Sequence, residues 1–280
     1  MLIKGPRRCA VLGSPIAHSL SPVLHRAAYA AVGLDWSYDA LEVREADLAS
    51  FLDTLDETWR GLSLTMPLKR TVVPLVDELS QRAAQAKTVN TVIFDGGRRV
   101  GHNTDITGAV AAITERVHTP VDTAVILGGG ATASSMLLAL ADLGCREVTL
   151  VVRDERRARA TLETARGHES PPVVHVRGFG EAAIPADILV STIPAVAQTK
   201  AVVQLAADVT TVFDVIYDPW PTRLADFART EGRVLISGLD LLIHQASGQF
   251  TLMAEIDDAP LAVMREAGEQ ALAGRSPQSG

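Results

Sequence analysis

A short apolar run, a cluster of glycines and an apolar-faced helix follow one another within residues 123–144, and few folds accept that order. Ala124 to Leu127 reads as a buried strand. Gly128, Gly129 and Gly130 come next, and then Met136, Leu137, Leu140 and Ala141 recur on one helical face. Strand, glycine turn and helix form the first half of a dinucleotide-binding βαβ unit. The spacing is Gly-x-Gly-x-x-Ala. Gly128 permits the tight turn, Gly130 lets the backbone approach a pyrophosphate, and Ala133 allows close packing of helix on strand. Helix-terminal N–H groups around Ala131 and Thr132 would then face phosphate oxygens. A plain glycine loop is the alternative reading of the same residues.

The 280 residues suit about two domains, each with its own core. With 26 Lys and Arg against 33 Asp and Glu, the net charge is −7, and there is no dense basic run; nucleic acid is not an expected partner. Two cysteines, Cys9 and Cys145, are too few for a disulfide framework and suit a reducing cytoplasm. The opening residues lack an apolar signal core, and no apolar run is long enough to span a bilayer. The expectation is therefore a cytoplasmic protein without a membrane partner. Whether it forms a homodimer is left open.

Strands and helices alternate along the chain. Strands are expected at 9–13, 36–43, 61–65 and 89–94, the last pairing with 99–102 across Asp95-Gly96-Gly97. Helices are expected at 22–32 with Ser21 as cap, 46–55, 68–75, 77–86 and 106–117. Beyond the glycine turn, apolar runs at 147–152, 173–176, 188–191, 212–215 and 234–236 continue a Rossmann-like alternation. Two last helices, 239–256 and 260–272, have no strand to cross over to, so they should pack back on the first domain. The polar tail 274–280 should fray. The fold class is α/β with two α/β domains. An N-terminal substrate-binding and catalytic domain (1–105) is completed by C-terminal helices (239–280), and a Rossmann-type dinucleotide-binding domain (106–238) is inserted.

Several residues could carry chemistry. At the end of the second strand of the inserted domain, Arg153 could grip a 2′-phosphate and Arg157 add a second contact, which favours NADP. Asp154 points the other way, because an acid there can accept from the free ribose hydroxyls of NAD; all three could also be a solvated helix start. A carbonyl that accepts hydride needs a proton donor. Lys69 and Asp105 each follow a strand end and are candidates, although one could be a surface lysine and the other a helix cap. Ser19 and Ser21, beside a helix start, could bind a carboxylate. Asn90 can both donate and accept, as a hydroxylated ligand requires. Gln245 interrupts an apolar helix and needs a partner if it faces inward. His18, His25, His102 and His244 lack metal-ligand spacing, and no metal site is expected.

Taken together, these stretches resemble the shikimate dehydrogenase family over nearly the whole chain. The motifs are Gly13-Ser-Pro-Ile-Ala-His-Ser-Leu-Ser-Pro22, Leu64-Thr-Met-Pro-Leu-Lys69, Val89-Asn-Thr91, Gly101-His-Asn-Thr-Asp105, Ser191-Thr-Ile-Pro194, Asp214-Val-Ile-Tyr-Asp-Pro219, and Gly238-Leu239 with Gln245-Ala246. The resemblance implies reversible, NADPH-dependent reduction of 3-dehydroshikimate to shikimate, a step in aromatic amino acid (chorismate) biosynthesis. It implies Lys69 and Asp105 as the catalytic pair. Ser19, Ser21 and Tyr217 would hold the substrate carboxylate, and Thr65, Asn90 and Gln245 would join the pair in reading ring hydroxyls. Gly128, Gly129, Gly130, Ala131, Thr132 and Ala133 would form the pyrophosphate turn. Arg153 and Arg157 would contact the 2′-phosphate, and Thr192, Ile216 and Gly238 would line the nicotinamide side. A cleft between the two domains would bring the ligands together and exclude water.

The chain departs from the family pattern in four places. Val152-Arg153-Asp154 stands where Asn-Arg-Thr is common, Ser63 where Asn often opens the third-strand motif, Lys87-Thr88 where Gly-Ala is frequent, and Leu241 where Met is common. An NAD-dependent quinate/shikimate dehydrogenase is the near alternative, and a catalytically silent dinucleotide-binding sensor the distant one.

Overall fold

Among the described residues, ten strands and α-helices precede residue 105. They are β1 (Arg7–Gly13), α1 (Ser21–Ala31), β2 (Trp36–Glu42), α2 (Leu48–Asp53), β3 (Trp59–Leu64), α3 (Leu68–Thr71), β4 (Glu78–Leu79), α4 (Gln81–Ala86), β5 (Thr91–Asp95) and β6 (Arg98–His102). There follow α5 (Asp105–Arg116), β7 (Thr123–Leu127), α6 (Ala131–Asp142), β8 (Glu147–Val151), α7 (Glu155–Arg166), β9 (Val173–Arg177), β10 (Ala186–Ser191), α8 (Lys200–Gln204), β11 (Val209–Asp214), α9 (Arg223–Thr230), β12 (Val234–Ile236), α10 (Gly238–Ala254) and α11 (Leu261–Ala273). This computed structural model describes residues 5–180 and 183–275. Residues 5–104 with 242–275 form one compact unit, and 105–241 form the other. The tail expected to fray lies, from residue 276 on, outside the described residues.

The first unit holds a mixed sheet in the order β2-β1-β3-β5-β6-β4. β1 runs parallel to β2 and β3, whereas β5 is antiparallel to both β3 and β6. The C-terminal ends of β1, β3 and β6 therefore share one edge of the sheet with the start of β5. Alternation divides the side chains between two faces. Ala10, Leu12, Leu62, Leu64 and Val92 pack with Leu48, Leu52, Leu68 and Val72 on one side. On the other, a side chain at Gly61 would strike Met253, and Ser63 meets Gln249, so this face lies under α10. Tyr29, Tyr38 and Phe250 fill the space around them. The last two helices do pack back on the first unit, α11 lying against α1.

The C-terminus of α10 is closed by buried Arg60. Its Nε donates to Met253 O at 2.8 Å, and its Nη2 pairs with Glu255 Oε1 at 2.7 Å. A guanidinium satisfies the unpaired carbonyls and matches the negative end of the helix.

The second unit holds an all-parallel sheet in the order β12-β11-β10-β7-β8-β9. Numbered within the unit, this is the 3-2-1-4-5-6 order of dinucleotide-binding folds. Strands β7, β8, β10 and β11 are buried almost throughout, as a sheet covered on both faces requires. The strand order reverses between β7 and β10, which opens a crevice at their C-terminal ends.

Several local expectations change. Ser21 is the first residue of α1 and not its cap; Leu20 occupies the cap position, and no side chain caps there. Residues 77–86 are not one helix, because Glu78–Leu79 extends to pair with β6 and Ser80 then caps α4 through Ala83 N. The helix expected over 68–75 stops after four residues and continues as a 3-10 turn at Val73–Leu75, where Pro74 lacks a donor. Helices α8 and α9 were not expected: α8 is little more than one turn, too short for a repeat, whereas α9 is amphipathic, with Leu224, Ala225 and Ala228 buried, and was missed.

Lys87, one of the departures, caps α4 with φ +51°. Side chains with a Cβ pay for the left-handed region, and glycine does not. Lys87→Gly should raise stability by about 1 kcal/mol. Thermal denaturation of the two proteins checks this; a lower melting temperature for the variant would show that the lysine makes contacts worth more than its backbone strain.

Candidate active site

In the first unit the candidate substrate residues gather at the shared strand edge. Gly13 ends β1, and a Cβ there would lie 2.5 Å from Thr65 Cγ2 and 3.0 Å from Met66 O. The loops after β1 and β3 can approach this closely only because residue 13 has no side chain. They are joined by Thr65 N to Leu12 O at 2.9 Å and Ser14 N to Met66 O at 3.1 Å. Ser19 sits in the first loop, where its Oγ accepts from Ser21 N at 3.3 Å. Half-buried Lys69 is in the second loop's helix α3, and its carbonyl accepts from Val89 N at 2.8 Å. That bond ties Lys69 to the residue before Asn90.

Asn90 is 1% exposed and has its amide engaged at both ends. Its Nδ2 donates to Thr104 Oγ1 at 2.9 Å and to Gln245 Oε1 at 3.3 Å. Its Oδ1 accepts from Thr104 N at 2.8 Å and from Thr91 Oγ1 at 2.9 Å. Gln245 therefore faces inward, with Nε2 donating to Leu242 O at 3.0 Å. Asn103 Nδ2 donates to Thr88 Oγ1 at 2.8 Å. Thr88, another departure, thus cross-ties the segment after β6 to the segment before β5. That segment leads into Asp105, the buried first residue of α5 and not its cap, where the helix dipole favours a carboxylate.

Behind Asn90 lies a second buried polar group that the sequence reading missed. His25 stacks on Tyr38 at 4.1 Å, and its Nε2 meets Gln249 Oε1 at 3.3 Å. Ser63 Oγ donates to the same oxygen at 2.8 Å and accepts from Tyr38 OH at 2.5 Å. Burial pushes His25 down from 6.5 to about 4, against a smaller opposing effect of Gln249. Gln249 follows Gln245 by one helical turn, so i, i+4 spacing could have placed the two on one face, though not the pairing with His25.

In the second unit the glycine turn connects β7 to α6. Gly128 has φ +109°, and a Cβ there would lie 2.5 Å from Thr192 Oγ1. Thr192 Oγ1 donates to Leu127 O at 2.8 Å, which places Thr192 at the mouth of the crevice between β7 and β10. Gly129, Ala131 and Thr132 are half-buried, while Ala133, in the first turn of α6, is fully buried. Nothing lies within 4 Å of a Cβ built on Gly130, at the N-terminus of α6. This open space over free N–H groups fits a pyrophosphate. Gly238 is required for a different reason: a Cβ would run into Val215 O and Ile216 C, and its N–H bonds Ile216 O at 3.3 Å.

Asp154 caps α7, accepting from Arg156 N at 2.9 Å, and pairs with the Arg156 guanidinium at 3.0 Å. Its carboxylate is thereby committed to its own helix. Arg153 is exposed beside it. The Arg157 backbone lies in α7, and its side chain is outside the described residues. Half-buried Tyr217 and Ile216 occupy the loop after β11. That loop is held by buried Asp214, which accepts from Thr222 Oγ1 at 2.5 Å and Gln198 Nε2 at 2.8 Å. Burial pushes the Asp214 carboxyl up, while these bonds pull it down less. No spacing rule could have paired Gln198 with Asp214. Cys9 and Cys145 are free and buried, and among the described residues no cluster of His, Cys, Asp and Glu suits a metal.

Residues 11–92 match the family model described as the shikimate dehydrogenase substrate binding domain. A shikimate dehydrogenase (NADP(+)) from Desulfitobacterium hafniense is 35% identical over 94% of this chain and 98% of its own length. The chain belongs to the shikimate dehydrogenase family. Solved members share its fold. The shikimate 5-dehydrogenase of Thermus thermophilus, in complex with NADP(H) and shikimate, aligns with TM-score 0.84 and 29% identity, covering 95% of this chain and 99% of its own. A quinate dehydrogenase from Corynebacterium glutamicum in complex with NAD aligns with TM-score 0.83 and 29% identity, covering 95% and 100%.

His25 gives this family member a testable acid response. The unfolded chain takes up the imidazole proton near pH 6.5 and the folded protein only near 4. Stability should therefore fall by up to roughly 3 kcal/mol between those values. Denaturant titrations across this range should show the fall, and His25→Phe, which keeps a ring against Tyr38, should flatten it. An equally steep fall in the variant would assign the acid sensitivity to other groups.

Proposed function

We propose that this protein is a cytoplasmic, NADP-dependent oxidoreductase that interconverts 3-dehydroshikimate and shikimate in aromatic amino acid biosynthesis. The observation that carries the reading is buried Asn90 at the strand edge that also bears Thr65 and Lys69, its amide held against Thr104 and Gln245. Hydroxyl, amide and ammonium groups gathered at one edge suit a small ring with several hydroxyl groups, which on binding would replace Thr104 or Gln245 as a partner of the amide. In this reading Ser19, Ser21 and Tyr217 hold the carboxylate, and Thr65, Asn90 and Gln245 fix the ring hydroxyls. Lys69 and Asp105 hold the reacting oxygen and move its proton, acting as one titrating unit.

The cofactor would supply or accept hydride when bound. Gly128, Gly129, Gly130, Ala131, Thr132 and Ala133 would carry its pyrophosphate, and Thr192, Ile216 and Gly238 its nicotinamide side. Arg153 and Arg157 would bind the 2′-phosphate. The choice of NADP over NAD is supported by exposed Arg153, and Asp154 beside it is partly engaged as a helix cap and in an ion pair with Arg156.

Nicotinamide absorbance during oxidation of shikimate or quinate, each with NADP or NAD, tests the reading. Shikimate with NADP should be turned over best; preference for quinate with NAD would replace it with the alternative activity, and no turnover with any pair would leave a silent binding protein. Lys69→Ala should lower kcat by at least ~100-fold, with NADP affinity nearly unchanged by titration. Undiminished turnover would remove Lys69 from the chemistry. Arg153→Ala should cut kcat/KM for NADP by about tenfold and leave the value for NAD nearly the same; equal losses with both cofactors would argue against a 2′-phosphate contact.

A further inference from the structure

Helix α10 reaches Asn90 twice. Gln245 meets its side chain, and Gln249, one turn later, meets its main chain, with Nε2 donating to Asn90 O at 3.4 Å. The direction of the Gln249 amide follows from chemistry. A carbonyl oxygen only accepts, so the NH2 end must face Asn90 O. Oε1 is then left to accept from Ser63 Oγ at 2.8 Å and His25 Nε2 at 3.3 Å. Ser63 is free to donate because Tyr38 OH supplies its own oxygen. Burial keeps His25 neutral, and the neutral ring donates through Nε2, with Nδ1 left without a partner. Three buried side chains and the Asn90 carbonyl thus set one amide in a single orientation. The Asn90 carbonyl that it holds also accepts from Leu64 N at 2.7 Å, at the end of β3.

We propose that Gln249, aimed by Ser63 and His25, is a positioning residue for substrate recognition: it fixes the Asn90 main chain and so places the Asn90 amide against the ring hydroxyls. The inference rests on the role proposed above for Asn90. It also gives Ser63 a purpose. A hydroxyl is short enough to stand between Tyr38 and Gln249, and it relays a donor where a longer amide would fill the space.

Steady-state kinetics of Gln249→Met and Ser63→Ala with shikimate and NADP test this. Methionine keeps the length of the side chain and removes both polar ends. Gln249→Met should raise KM for shikimate about tenfold, the size expected for one lost buried hydrogen bond, while kcat and the KM for NADP stay within about twofold. Ser63→Ala should shift the same parameter in the same direction and by less. A purely structural role would instead reduce the active fraction, lowering kcat without a change in KM. An unchanged KM for shikimate, or equal changes in the KM values for both ligands, overturns the proposal. If Gln249→Met does not fold, Ser63→Ala carries the test alone, since it removes a single hydroxyl. Absence of shikimate turnover by the wild-type protein would instead overturn the activity on which the role depends.

Discussion

A buried amide tolerates little freedom, because each unmet donor or acceptor costs about 1–3 kcal/mol. Asn90 is placed so that every end is met, and much of the first unit is arranged around that requirement. The strand edge supplies Thr91 and Thr104, and α10 supplies Gln245 and Gln249. Mixed strand direction makes this convergence feasible: with β5 antiparallel to β3 and β6, its first residue lies beside the last residues of both. The loops that carry Ser19, Thr65 and Lys69 leave from that same edge. They close on each other only because Gly13 has no side chain to hold them apart.

In the second unit close backbone approach has the corresponding role. Gly128 lets Thr192 reach across the crevice to Leu127 O, and Gly238 lets the chain before α10 lie against Val215 and Ile216. Buried Asp214 holds the neighbouring loops with Gln198 and Thr222. The loops at this end of the sheet are therefore fixed from beneath by side chains that need never touch a ligand. This leaves the exposed groups, Arg153 among them, available for one.

The sequence disclosed the parts whose signal is local. The strand, glycine turn and helix at 123–142 could be read from spacing, because φ freedom and helix periodicity act within a few residues. The hairpin at 91–102 was legible for the same reason, with Gly96 and Gly97 at positive φ. Asn90 and Gln245 could be named one by one, yet nothing in their spacing showed that they bond each other across 155 positions. Gln249 was within reach, one turn beyond Gln245, but the apolar surroundings gave no reason to look. Asp154 illustrates the opposite difficulty. Its residue type suited ribose binding and helix capping equally, and the capping became visible only in the geometry of Arg156 N. Short helices such as α8 escape periodicity because a single turn contains no repeat.

The first unit is built from two separated lengths of chain, 5–104 and 242–275. On a ribosome the six strands of its sheet emerge long before α10 and α11 exist. Until α10 has been synthesised, Gly61 and Ser63 have no helix above them, and the face that will receive Met253 and Phe250 is open to water. The continuous second unit carries all of its own strands and can complete its sheet first. Vectorial synthesis thus separates the two halves of the molecule in time: an exposed apolar sheet face must wait, unpaired, for the last helices, and the nascent chain is most vulnerable to aggregation during that interval.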